Sequence, residues 1–152
     1  MRSITRELHL PIDAPAAFAL LHTPSAIRAW WSAARVVVAA RTGGLWVAAW
    51  GPDEDAPDYI TAARIVVWDP PHRLRLGQYE YFTRTAEALP FTAHFETEFS
   101  VQPQEHESLL RVQQTGFPDD SVADQFFSAC QRGWAATFES IHRFVTDSPH
   151  RS

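Results

Sequence analysis

Apolar and polar positions alternate along much of this chain, and a helical spacing replaces the alternation in three places. SITRELHLPI (3–12) runs Ile4, Arg6, Leu8 and Leu10 among polar neighbours and predicts a first strand. DAPAAFALL then offers Asp13 as an N-cap and Pro15 in the first turn, with Phe18, Leu20 and Leu21 on an apolar face. That predicts a helix from about 14 to 22. TPSAIRAWW repeats the device, with Thr23 as cap, Pro24 at the first position, and Ile27, Trp30 and Trp31 carried on a second short helix.

RVVVAA, the turn RTGG and LWVAAW read as a hairpin, and GPDEDAPD as an acidic loop. YITAARIVVW and HRLRLGQYEY flank the tight reversal DPP; in IVVW four apolar residues in a row conceal which side faces in. FTRTAEALP reads as a loop at a pocket mouth. FTAHFETEFSV alternates, with Phe91, Ala93, Phe95, Thr97, Phe99 and Val101 on one face. SLLRVQQTGF returns as the last strand, with Leu110, Val112, Gln114 and Gly116 sharing the inward parity. The third helical stretch, PDDSVADQFFSACQRGWAATFESIHRFV, spaces Phe127, Cys130, Trp134, Phe138, Ile141 and Val145 by three or four, which makes one buried stripe. Asp119 and Asp120 stand near its start, where the helix dipole favours anions. Gly133 lies inside it, although a helix-interior glycine costs about 1 kcal/mol against alanine.

Composition narrows the function classes. A length of 152 residues fits one domain, 1–152. A net charge of −5 without a basic cluster argues against nucleic acid and against an anionic membrane surface as partners. No apolar run has the length of a membrane span, and no signal peptide is read at the N-terminus. The single cysteine, Cys130, leaves no internal disulfide and fits a reducing, cytoplasmic location. It is read as a small buried hydrophobe rather than a nucleophile. His94, Glu96 and Glu98 alternate opposite the Phe-rich face, so they are read as solvated, not as a metal patch. No nucleophile elbow, phosphate loop or zinc spacing occurs; no catalytic residue, metal or cofactor is assigned. The excess lies in rings: six Trp, ten Phe and three Tyr.

The element order resembles the START-like (SRPBCC) superfamily, specifically the bacterial branch related to the activator of the heat-shock protein 90 ATPase. IDAPAAFALLHTPSAIRAWW, TGG (42–44), VVWDPPHRL (66–74), TGFPDD (115–120) and RGW (132–134) carry the resemblance, over residues 4–146. It implies an α+β helix-grip (Bet v-type) fold. A curved antiparallel sheet of about six to seven strands would wrap a long C-terminal helix, with two short helices after the first strand and a cavity between sheet and helix. Members carry a Gly-Trp pair at Gly133-Trp134, which implies that Gly133 leaves room for sheet or ligand while Trp134 reaches inward. Many members carry a carboxylate before the DPP turn; IVVW has none, so no acid–base role carries over.

These readings converge on an aromatic-lined cavity for an apolar or aromatic small molecule, with Phe18, Trp31, Trp46, Tyr59, Phe95, Gln114, Trp134 and Phe138 as its expected lining. Gln114 stands either as a ligand-orienting amide or as an internal hydrogen-bond partner. Tyr59, Tyr79 and Tyr81 are further polar handles. Two alternatives remain: a polyketide cyclase- or aromatase-like enzyme acting in the same cavity, and a protein-interaction module resembling a chaperone co-factor. A homodimer is compatible with all three.

Overall fold

Strand β1 (Arg2–Leu10) leads into two short helices, α1 (Ala14–Ala19) and α2 (Pro24–Trp31). Strands β2 (Arg35–Val38), β3 (Leu45–Trp50), β4 (Tyr59–Asp69), β5 (Arg73–Thr83), β6 (Glu96–Gln104) and β7 (Glu107–Phe117) follow, and then helix α3 (Asp124–Thr146) behind a 3-10 turn at Ser121–Ala123. This computed structural model describes residues 2–53, 55–84 and 94–147. The seven described strands form one antiparallel sheet in the order β1-β7-β6-β5-β4-β3-β2. The sheet curves around α3 with α1 and α2 beside it, which is the helix-grip arrangement. Phe91, Ala93 and residues 85–90 of the expected loop lie outside the described residues.

Proline placement explains the short helices. Asp13 Oδ1 accepts from the Ala16 amide at 3.0 Å and caps α1. The helix was expected to run to about 22, but it ends at Ala19; residues 20–22 continue as turns bonded three residues back. Pro24, which cannot donate, breaks the ladder there and opens α2. The Thr23 hydroxyl makes no capping bond, contrary to the expectation; its backbone carbonyl takes the amides of Ala26 and Ile27 at 3.0 Å instead. Helix α3 likewise starts later than the expected helical stretch from Pro118, at Asp124 behind the 3-10 turn. The acid in its first turn is Asp124, which Arg2 holds at 2.7 Å.

Two bulges settle which side chains face in. On β4, Ile65 pairs with Leu76 and Val67 with Arg75, so Val66 is an extra residue. Ile65 and Trp68 therefore both point to the core, on opposite parities. On β5, Arg64 pairs with Gly77 but Ala62 with Glu80, and Gln78 takes the left-handed conformation at φ 52°. Leu74 and Leu76 face inward before this bulge, Tyr79 and Tyr81 after it.

On β6 and β7 the alternation expected from sequence holds: Phe95, Thr97, Phe99 and Val101 are buried, as are Leu110, Val112 and Gln114. Gly116 (φ 98°) is required where it stands, because a Cβ there would meet the His94 carbonyl oxygen at 2.4 Å. His94 and Glu96 face solvent, and Arg75 holds Glu98 at 2.7 Å across the β5–β6 pair. The apolar interior falls into two clusters. A large one joins α1, α2 and the C-terminal half of α3 to the sheet; a small one gathers Ile4, Phe95 and Phe117 under the N-terminal half.

Candidate functional site

Between the two clusters the sheet and α3 separate around a cavity of about 410 Å³. Its aromatic wall starts from carbonyls that the helix ends leave unpaired. The Leu20 carbonyl would need an amide at position 24, which is proline, and the Trp30 indole supplies the missing donor at 3.0 Å. Trp46 Nε1 donates to the Leu21 carbonyl at 3.0 Å, and Trp50 Nε1 to the carbonyl of Trp31, the last residue of α2, at 3.2 Å. Each bond ties an indole N–H to backbone and leaves ring surface for the cavity. The rings then buttress one another: Trp31 lies 5.7 Å from Trp30, 5.6 Å from Trp46 and 4.9 Å from Trp50, which in turn meets Tyr59 at 5.4 Å. The stacked Trp30–Trp31 pair and the tilted and edge-on contacts of the others suit the ring quadrupoles.

The floor carries the polar groups. Gln114 on β7 pairs across the sheet with Thr97 on β6, and both side chains are buried. Trp134 Nε1 donates to Gln114 Oε1 at 2.7 Å, and the Tyr79 hydroxyl donates to Thr97 Oγ1 at 2.7 Å. Tyr79 and Tyr81 stack with ring centroids 5.6 Å apart. Burial pushes both phenols above the usual tyrosine range; the Thr97 bond opposes this at Tyr79, and the neighbouring phenols add to it at Tyr81. Cys130 also lines the cavity, its thiol pushed up to about 11 by burial. The titratable lining groups among the described residues are thus phenols and a thiol. No group of three or more His, Cys, Asp or Glu among the described residues could hold a metal.

Five of the eight side chains expected to line the cavity do so: Trp31, Trp46, Tyr59, Gln114 and Trp134. The other three stand one ring behind it. Phe18 is core, 5.5 Å from Trp68 and from His22. Phe95 sits behind the lining residue Phe126 and beside Phe117, and Phe138 packs edge-on against Trp134 at 6.2 Å. Each was read from the apolar face of its own element, but a face gives a side chain's direction and not the depth of the void in front of it. The lining also includes Thr61, Phe126, Ala129 and Thr137, which carried no sequence signal beyond their elements, and Gly133.

Gly133 answers the question its helix poses. A Cβ added there would meet nothing within 4 Å, so the close helix–sheet contact that sequence left open is absent and the space is cavity.

The model of the activator of Hsp90 ATPase homolog 1-like proteins matches residues 13–146. No curated protein matches this chain. Among solved structures, protein MLL2253 from Mesorhizobium loti superposes with a TM-score of 0.74 at 14% identity, covering 97% of this chain and 98% of that one. The Aha1 dimer from Colwellia psychrerythraea gives 0.69 at 13% identity over 95% and 96% of the two chains. CalU16 from Micromonospora echinospora gives 0.67 at 17% identity over 97% and 77%. At these identities the likeness concerns the fold.

Proposed function

Because this chain belongs to the family of activator of Hsp90 ATPase homolog 1-like proteins, we infer that it uses its helix-grip cavity to bind a small apolar or aromatic molecule. The observation that carries this reading is the cavity of about 410 Å³ walled by five tryptophans over a floor holding one amide. Apolar walls with a few placed polar groups are the usual form of a small-molecule site. The walls are also tied down before any ligand arrives, through indole bonds to helix ends, which lowers the ordering cost of binding.

The cyclase- or aromatase-like reading would act in the same cavity through proximity and its few polar groups. The described lining offers it phenols, hydroxyls, a thiol and one amide, and no carboxylate or imidazole. The interaction-module reading would use the exposed rings of Tyr59, Tyr81 and Phe82. Two of these three belong to the cavity lining, so the same surface serves the cavity reading. The Colwellia protein is described as a dimer, and sedimentation of this chain tests whether it self-associates.

Native mass spectrometry of the purified protein, followed by solvent extraction, tests the reading directly. A stoichiometric apolar compound released by solvent is the expected result, with lower occupancy in Trp134→Ala. A protein that carries nothing, and takes up none of a panel of planar aromatic compounds, would refute it.

A further inference from the structure

The Trp134 indole decides which end of the Gln114 amide faces the cavity. An indole nitrogen can donate but never accept. The Gln114 atom it meets at 2.7 Å is therefore the carbonyl oxygen, and the amino group Nε2 is the end left over. No described residue accepts a hydrogen bond from Nε2, yet every fully buried side-chain nitrogen or oxygen among the described residues has a partner. Nε2 is consequently not sealed inside protein; it borders the cavity that Gln114 lines.

Most indole donors are spent, whereas the hydroxyls of Tyr59, Thr61, Tyr81, Thr97 and Thr137 line the cavity with hydrogens given to no described residue. Gln114 differs from them in that its amino group is fixed in place by the Trp134 bond. Trp30, Trp46 and Trp50 give their N–H groups to backbone carbonyls, and the Tyr79 hydroxyl gives its hydrogen to Thr97. Trp31, on α2 rather than on the sheet, keeps an N–H with no partner among the described residues. The described lining contains no Arg, Lys, His, Asp or Glu, so a charged ligand would be buried without a counter-charge. Gln114 itself is held rigidly, paired on both sides with Ile4 of β1 and Thr97 of β6.

We propose that the cavity selects an uncharged planar ring system bearing a carbonyl or an equivalent acceptor, which Gln114 Nε2 grips while the tryptophan faces hold the rings. This specificity rests on the ligand-binding reading above. The hydrogen-bond chain runs from Trp134 N–H to the Gln114 carbonyl, and from the Gln114 amino group to the ligand oxygen.

Three tricyclic probes of matched shape separate the outcomes in equilibrium dialysis. 9-Fluorenone presents a carbonyl, fluorene nothing polar, and carbazole an N–H donor. Fluorenone should bind roughly tenfold more tightly than fluorene, the order expected for one buried hydrogen bond, and carbazole no better than fluorene. Gln114→Leu combined with Trp134→Phe, which leaves no freed indole N–H behind, should abolish the ketone preference while still binding fluorene. Trp134→Phe releases the amide to turn over, so carbazole should gain relative to fluorenone, a change that a purely structural role for Trp134 does not produce. Equal binding of ketone and hydrocarbon by the unmutated protein would overturn the proposal. So would a ketone preference that survives the double variant, which would transfer the role to Trp31 or to a lining hydroxyl. Failure of all three probes to bind would refute the ligand-binding reading itself, and the proposal with it.

Discussion

The Cys130 thiol lies on the cavity wall of α3, and burial raises its pKa from 9.0 to about 11. The thiolate is the reactive form, so alkylation near pH 8 should run roughly a hundredfold slower than for a cysteine in a short peptide. Iodoacetamide labelling followed by intact-mass measurement checks this, and a rate equal to the peptide's would show that the thiol is not desolvated. The same shift has a consequence for stability. A group whose pKa is higher folded than unfolded contributes stability that is fully present below the unfolded value and is lost as pH climbs through the folded one. Cys130 and Tyr79 are both raised, chiefly by burial. Thermal stability should therefore hold up to about pH 9 and fall between 9 and 11. Cys130→Ala should make the earliest part of that fall shallower. A melting temperature flat to pH 11 would contradict the burial of these groups.

At the scale of the element, α3 does two jobs along one apolar stripe. Phe138, Ile141 and Val145 are buried in the large cluster, whereas Cys130 and Trp134 are only partly buried because the cavity opens beside them. Gly133 stands in the second half of this division with no neighbour to exclude. Gly133→Ala should stabilise the protein by up to about 1 kcal/mol, since it removes the helix-interior penalty without a clash. Urea midpoints measure that. Gly133→Leu should be no less stable than the unmutated protein yet bind fluorenone several-fold more weakly, because its side chain projects into the void. Loss of stability in Gly133→Ala would mean that the space is not there.

The elements also show where sequence reasoning reached and where it stopped. Strand and helix identities, the Asp13 cap, the inward parity of Gln114 and the solvent face of His94 and Glu96 were all legible, because each depends on local spacing. The facing of IVVW was not. A bulge is one extra residue between two well-formed alternations, and nothing in the apolar run marks Val66 as that residue. Gln78 is likewise silent in sequence, although its left-handed backbone is what turns Tyr79 and Tyr81 toward the cavity. Phe18, Phe95 and Phe138 stand behind the cavity wall rather than on it for a related reason: periodicity reports a face, and a cavity occupies only part of one.

The whole molecule combines a thick cluster and a thin one with a cavity between them, and this asymmetry bears on its dynamics. The C-terminal half of α3 is tied to α1, α2 and the middle of the sheet, while the N-terminal half rests on Ile4, Phe95 and Phe117. Few buried contacts mean a low free energy for local opening. Amides of residues 126–134 should therefore exchange faster than those of 138–145 in the ligand-free protein, as followed by hydrogen exchange with mass-spectrometric readout. A ligand that fills the cavity contacts the first segment through Phe126, Cys130 and Trp134, and stabilises the closed form by mass action. At a free concentration one hundred times its Kd that amounts to about 2.7 kcal/mol, or roughly a hundredfold slower opening-limited exchange. Saturating fluorenone should accordingly slow exchange in residues 126–134 by about that factor while leaving 138–145 close to their ligand-free rates, because those residues already open only with the large cluster. Equal slowing along all of α3 would mean that the helix opens as one unit and that the cavity does not divide it. No slowing at all, with fluorenone bound, would place the ligand somewhere other than between α3 and the sheet.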